Sequence, residues 1–560
     1  MDHRRRPLLI LFLSLFLLAC LLPTATSRSR RPKQPLAQNI QWWCDRTPHP
    51  EPCKFYMMSQ NHQGHRLKHK SNFRVKLVQL ALNQAQQMKY EARDYTQNGE
   101  AEKLKAVFGD CLKLYDNTIF HLNRTLGGLG SKHGDRDNHH RCSNLDAQTW
   151  LSTALTNIQT CKNGAKDLKL SVPLFTEAKT LCYNVTKMIS NSLAISAAFL
   201  TRPEREELMM SESNKNNDVD EEDGYPRWFS RQERKLVTVS ASKIKANVVV
   251  AKDGSGHFKT VQAAIDAAAK RKYKTRFVIR VKKGVYNENI EVDKTNSGIM
   301  LIGDGLRYTV ITSSKSTSDG LTTYSTATAG IDGPNFIARD ISFVNSAGPL
   351  KGQAVALRSA SDLSVFYRCS IIGYQDTVMA HAQRQFYKQC YIFGTVDIIF
   401  GNAAVVFQNC VILVRRPLSG QANMITAQGR DDPFQNTGTS LQNCIIKAAP
   451  DLKPVVNSVT TYLGRPWQEY SRVVVMKSYI DSLVSPLGWS KWGNSDFALS
   501  TLYFGEYKNF GPGSSTKNRV NWKSYHVITS ATEASSFTVN GLIAGSTWLP
   551  STGVPFASGL

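Results

Sequence analysis

The chain has little that could hold it in a membrane. Leu8 to Leu22 is its one long apolar run, too short for a comfortable span, and no other segment approaches one. No basic amphipathic helix stands out for a membrane surface. No G-x-S-x-G elbow is present, so a serine hydrolase is unsupported. No C-x-x-C spacing appears, which argues against zinc. Carboxylates do not cluster as a Ca²⁺ site needs. Acidic residues are scarce, 44 against 69 Lys and Arg, and the formal net charge is +25. A protein this basic meets an anion. Nucleic acid, acidic lipid and acidic polysaccharide all fit the charge alone.

What is present narrows these choices. Arg4, Arg5 and Arg6 precede the apolar run, and small residues near Ala25 to Ser27 offer a cleavage site. Residues 1–27 therefore read as a signal peptide, with a signal-anchor as the alternative. Export argues against nucleic acid and permits disulfides. Of the 11 cysteines, Cys20 would leave with the signal. No membrane contact is expected once the signal is gone, and no metal or cofactor is expected.

Residues 28–200 carry helical periodicity. Phe73, Leu77, Leu80, Ala81, Ala85 and Met88 share one face, and similar spacing recurs at Leu112, Leu151 to Ile158 and Ala178 to Leu200. An all-α bundle of four or more helices is expected. Asn123-Arg124-Thr125 and Asn184-Val185-Thr186 are glycosylation sequons in this part. Residues 201–236 form a charged linker with an acidic cluster at Asp218 to Asp223, ending at the dibasic pair Arg234-Lys235. A processing protease could cut there.

Residues 237–560 repeat. The units read Phe336…Arg339-x-Ile341, Phe366…Cys369-x-Ile371, Phe386…Cys390-x-Ile392, Phe407…Cys410-x-Ile412, Leu441…Cys444-x-Ile446 and Val475…Ser478-x-Ile480. Their pivots lie about 20 to 34 residues apart, the range of a solenoid. Each run alternates apolar and polar residues, as a strand does. An all-β, right-handed parallel β-helix is expected. Thr260 to Ala269 would cap its open end, and the tail from Thr529 would pack across the coils. Cys369, Cys390, Cys410 and Cys444 share the pivot, and neighbouring pivots are close enough to bridge. Sequence alone leaves three pairings.

Asp376 lies as far beyond Cys369 as Asp397 lies beyond Cys390. Stacked strands sit ~4.8 Å apart, so the two carboxylates should be neighbours on adjacent rungs. Two carboxylates that close cannot easily both ionise. One becomes an acid, and a nearby cation would keep the other ionised.

Several blocks in order then resemble plant pectin methylesterases: GYQDT (Gly373–Thr377), GTVDIIFGNA (Gly394–Ala403), LGRPW (Leu463–Trp467), QAVALR (Gln353–Arg358), GVYNE (Gly284–Glu288) and ITAQGR (Ile425–Arg430). The first region resembles the inhibitor-like pro-region that precedes many of them, through Asp110-Cys111-Leu112, Ala154-Leu155-Thr156-Asn157 with Thr160-Cys161, and Ser190 to Ala194. The resemblance implies methyl-ester hydrolysis on homogalacturonan in the cell wall, with methyl-esterified pectin as substrate and inhibitor proteins as partners. It implies that Asp397 attacks the ester carbonyl and Asp376 serves as acid, then base. Gln353 and Gln375 would donate to the oxyanion, and Arg465 would pair with Asp397. Trp467 would face a sugar ring, and Thr323 and Gln353 would touch substrate. Phe400 would wall the cleft, while Gly284, Tyr286 and Glu288 read as structural. The implied disulfides are Cys369–Cys390, Cys410–Cys444, Cys44–Cys53 and Cys111–Cys161, with Cys142 and Cys182 left over.

Met379, Ile398, Tyr324 and Thr326 depart from the family's usual residues. None is a proposed catalytic group, although Met379 could change substrate grip. A glycosidase built on Asp431-Asp432 is one competing reading, but that pair sits in a Pro/Asn/Gly-rich turn. A lyase is another, and a secreted inhibitor or wall-binding protein without activity is the non-enzyme alternative.

Overall fold

The computed structural model describes residues 40–59, 69–98, 102–130, 142–170, 181–200, 244–272 and 275–560. The expected signal peptide and the Arg234-Lys235 linker lie outside these residues. No helix among the described residues is long and apolar enough to cross a membrane.

The first region is helical: α1 Ile40–Cys44, α2 Pro50–Ser59, α3 Lys70–Asn98, α4 Glu102–Gly130, α5 Asn144–Asp167 and α6 Leu181–Ala197. Helices α3 and α5 each pack against both α4 and α6, which closes a four-helix bundle. The predicted face of α3 is its core face, since Phe73, Leu77, Leu80, Ala81, Ala85 and Met88 are all fully buried. Helix α5 begins at a capping box in which Ser143 and Asp146 satisfy each other's backbone N–H groups. Disulfides Cys44–Cys53 and Cys111–Cys161 tie α1 to α2 and α4 to α5. Cys142 and Cys182 are free. The sequon asparagines lie within helices, Asn123 exposed on α4 and Asn184 half-buried on α6.

From Val248 the chain coils into three parallel sheets, of eleven, eight and seven strands among the described residues. We number them I, II and III in the order a coil visits them. One coil runs Ser364–Tyr367 in sheet I, Ser370–Ile372 in sheet II and Val378–Ala380 in sheet III. The next repeats this at Arg384–Lys388, Tyr391–Gly394 and Ile399–Gly401. All pairings are parallel, giving a parallel β-helix whose inward side chains stack in columns. Phe366, Tyr387 and Phe407 form one column, with ring centroids 4.6 and 4.4 Å apart. Helix α7 (Val261–Ala269) caps the first coil, as expected. Glu288 accepts from the N–H groups of Val261 and Gln262 at its N-terminus, which is the structural role expected of that residue.

Two details differ from expectation. The first repeat unit is misplaced by two residues, because Tyr367 pairs with Arg339 and so Cys369 matches Ile341. Arg339 alternates outward on sheet I and pairs with Asp340, so its match to the pattern was accidental. The second difference is chemical. Cys369, Cys390, Cys410 and Cys444 do stack, but all four are free thiols. Side chains on in-register parallel rungs point the same way, about 4.8 Å apart, whereas a disulfide needs Cβ atoms near 3.8 Å. Each thiol instead reaches a carbonyl of the preceding coil, such as Cys390 Sγ to Phe366 O at 3.2 Å.

The outer faces of the sheets are treated differently. The C-terminal tail covers sheet I, packing Val539, Ile543, Trp548 and Leu549 on Met300, Ile337, Val365 and Val406. The helical bundle lies over sheet III, where Met379, Phe400 and Ala427 join its core. Sheet II is bare.

Candidate active site

Asp376 and Asp397 each end the turn that leads from sheet II into sheet III. Met379 pairs with Phe400 and Val378 with Ile399, so the aspartates occupy equivalent places on adjacent rungs. Both hold a left-handed backbone, φ 61° and 51°. Aspartate tolerates that conformation better than most residues, and the turn it makes aims both carboxylates at the same face.

Arg465 grips Asp397 with two parallel hydrogen bonds, Nε to Oδ1 at 2.9 Å and Nη2 to Oδ2 at 2.7 Å. The guanidinium also lies 4.3 Å over the Trp492 ring. Asp376 has no such partner, and its buried Oδ1 accepts no hydrogen bond. Burial, the Asp397 charge and Asp167 together hold Asp376 well above the usual carboxylate range. Burial raises Asp397 too, opposed by Arg465. We expected Asp397 to fall below its ordinary value. It does not, because its burial opposes ionisation, but the order within the pair stands: Asp376 is held well above the carboxylate range, and Asp397 is the one with a cation favouring its ionised form.

All seven expected site residues meet at one cavity of about 200 Å³: Thr323, Gln353, Gln375, Asp376, Asp397, Arg465 and Trp467. The Gln353 amide oxygen accepts from Thr317 Oγ1 at 2.9 Å, which leaves its NH₂ for a ligand. Trp467 stands edge-on to Phe400, with centroids 5.8 Å apart. It fits because residue 429 is glycine; a Cβ there would come within 2.6 Å of the indole. Asp431 and Asp432 lie outside this cavity. Asp432 accepts from Ser190 Oγ of the bundle at 2.6 Å, and burial beside Asp432 pushes Asp431 up to about 7.

Sequence reading missed the other wall. Thr160, Asn163, Gly164 and Asp167 of helix α5 line the same cavity. Asp167 accepts from Thr323 N at 3.0 Å, and Asp110 of α4 accepts from Thr322 and Ser325 hydroxyls. Arg384 of sheet I bridges Asp362 and Asp146 at 2.8 and 2.7 Å. His381 bonds Thr160 Oγ1 at 2.8 Å, and Gln383 meets His121. No local motif announces the contacts between the domains, since their partners are more than 150 residues apart.

A family model described as Pectinesterase matches residues 247–546, and one described as Plant invertase/pectin methylesterase inhibitor matches residues 38–195. The chain is 54% identical to "Probable pectinesterase/pectinesterase inhibitor 60" of Arabidopsis thaliana, covering 99% of this chain and 98% of that one. The chain belongs to the pectinesterase family. It is thus a carboxylic ester hydrolase preceded by an inhibitor-like helical domain. It is also 48% identical to "Pectinesterase 2" of Citrus sinensis over 93% of this chain and 95% of that one. Among solved structures it resembles a pectin methylesterase from carrot, at TM-score 0.56 and 56% identity, covering 57% of this chain and 99% of that one. The pectinesterase half thus carries Asp376, Asp397 and Arg465, and the inhibitor-like half supplies the cavity's second wall.

Proposed function

We propose that this pectinesterase hydrolyses methyl esters of homogalacturonan in the plant cell wall, and that its own helical domain holds it inactive until displaced. The carrying observation is the asymmetric carboxylate pair, one gripped by Arg465 and one left without a partner.

In this mechanism Asp397 attacks the ester carbonyl. The developing oxyanion is met by amide N–H groups of Gln353 and Gln375. The tetrahedral adduct collapses, the C–OCH₃ bond breaks, and protonated Asp376 gives its proton to the departing methoxy oxygen. Asp376, now ionised, takes a proton from water as that water attacks the acyl-enzyme. A galacturonate carboxylate leaves, Asp397 is restored, and Asp376 is protonated again. Trp467 offers an apolar face to a sugar ring.

The covered cleft supports autoinhibition. A cavity of about 200 Å³ is below the ~300–1,000 Å³ of usual ligand pockets and has no room for a polymer. Displacing helix α5 would open it, and cutting after Arg234-Lys235 would let the domain leave. Export through the N-terminal signal would deliver the protein to the wall. The test is methanol release from methylated pectin by residues 237–560, beside the same protein carrying Asp397→Asn. Release by both proteins alike would end the reading.

A further inference from the structure

Sheet II carries an apolar ladder that no other described element covers. Tyr391, Val411, Ile445, Tyr479 and Phe510 occupy one in-register column on its outer face. The column spans four rung steps, ~19 Å at ~4.8 Å each. Tyr391, Ile445 and Phe510 are 42%, 39% and 56% exposed. A second column, Ile372, Phe393 and Leu413, runs beside it and ends at exposed Lys447. None of these residues joins the four apolar cores of the described structure. Apolar surface this continuous marks an interaction site more often than chance.

Its surroundings say what kind. Lys447 stands in the second column, while Lys477 and Lys508 lie in the corners that lead into Tyr479 and Phe510. None of the three forms an ion pair with a described residue. The nearby carboxylates are engaged: Asp451 by Arg415 at 3.1 Å, and Asp481 by the Ser482 N–H at 2.8 Å. The face therefore offers apolar rungs edged by cations with no described ion-pair partner, Lys508 also lying 5.2 Å over the Tyr507 ring. Pyranose rings present C–H faces that stack on such rungs, and uronate carboxylates suit the lysines. The strip also continues into the catalytic site. Its strands run directly into the turns bearing Asp376 and Asp397. At that edge Arg415 lies 3.7 Å over the Tyr374 ring and donates to its hydroxyl at 2.6 Å.

We propose that the outer face of sheet II is a second, non-catalytic binding strip for a de-esterified uronate polymer. It stacks sugar rings on the Tyr391–Phe510 ladder and pairs their carboxylates with Lys447, Lys477 and Lys508. The choice of polymer rests on the proposed function. The strip would keep the enzyme on its acidic product while the cleft works on esters nearby.

The test uses the full chain, in which the helical domain closes the cleft, and measures affinity for polygalacturonate by titration calorimetry. Two variants are compared with the parent: Tyr391→Ser/Ile445→Ser/Phe510→Ser and Lys447→Gln/Lys477→Gln/Lys508→Gln. Each should weaken binding about tenfold, a readily resolved difference. Native circular dichroism checks that both fold. Affinities within about twofold of the parent in both variants would overturn the strip. Loss in the lysine variant alone would also overturn it, leaving only general charge attraction. So would sedimentation showing that the ladder variant merely splits a dimer while polygalacturonate affinity holds. The probe carries no ester, so the result is independent of whether the cleft releases methanol.

Discussion

Asp167 allows the covered cleft to be tested by two substitutions of opposite sign. Its carboxylate is buried where α5 meets the catalytic domain and accepts from the Thr323 N–H and from the Thr323 side chain. Burial raises its pKa in the docked state from an ordinary 3.8. Between the ordinary and the docked pKa, docking is therefore accompanied by proton uptake at Asp167. Docking gains at low pH and loses that gain as pH rises through the docked pKa. Asp167→Asn keeps an acceptor for Thr323 and removes the charge, so it should tighten docking at neutral pH. Asp167→Ala leaves the Thr323 N–H buried and unpaired, at about 1–3 kcal/mol. That corresponds to roughly 5- to 150-fold in the docking equilibrium. The assay is methanol release by the full chain at pH 7 and pH 5, beside the binding of a separately made helical domain. The alanine variant should be the more active full chain and the asparagine variant the less active. The asparagine variant and the parent should draw together as pH falls, since protonation of Asp167 removes the charge that separates them. His121 and His381 act in the opposite sense. Burial pushes both down to about 3, so docking weakens as pH falls below their ordinary 6.5. Variants must therefore be compared at matched pH. If alanine and asparagine shift activity in the same direction, Asp167 does not hold the domain as described.

In the separated catalytic domain, Asp397→Asn should abolish turnover while pectin still binds, and Asp376→Asn should slow acylation by about 10² to 10⁴. Burst kinetics would distinguish them, and near-normal turnover in the Asp397 variant refutes the nucleophile assignment. Arg465→Ala removes the cation that favours the ionised form of Asp397, so its pKa should rise and the acidic limb of the pH–rate profile should move to higher pH. An unmoved limb would mean that Arg465 only shapes the cleft. Alkylation in denaturant without reductant should label Cys369, Cys390, Cys410 and Cys444 and leave Cys44, Cys53, Cys111 and Cys161 unlabelled, read by peptide mass spectrometry. Protection of the first four would show that they are bridged after all.

The β-helix and its carboxylate pair were legible in the sequence because a solenoid writes its contacts along the chain. Residues that stack on adjacent rungs share an offset from a repeated landmark, so Asp376 and Asp397 could be paired by counting from Cys369 and Cys390. The α3 core face was legible for the same reason, since helical spacing is local. The first repeat unit failed because Arg339 satisfied the pattern by coincidence, and only strand pairing shows which way a side chain points. Disulfide state was not legible either. Proximity is periodic, but the angle between two thiols is not. Contacts between domains carry no period at all. Nothing in the local sequence sets Asp110 or Asp167 apart as contacts with the catalytic domain; packing of the bundle on sheet III brings them to Thr322, Thr323 and Ser325. Sequence by itself therefore determined the rungs, the adjacent carboxylate pair and the helix faces. The tertiary structure alone decided that α5 lines the cleft, that Asp397 is buried with its pKa raised, and that sheet II is the face the other described elements leave open, because each depends on which surfaces remain in water once the described elements have packed.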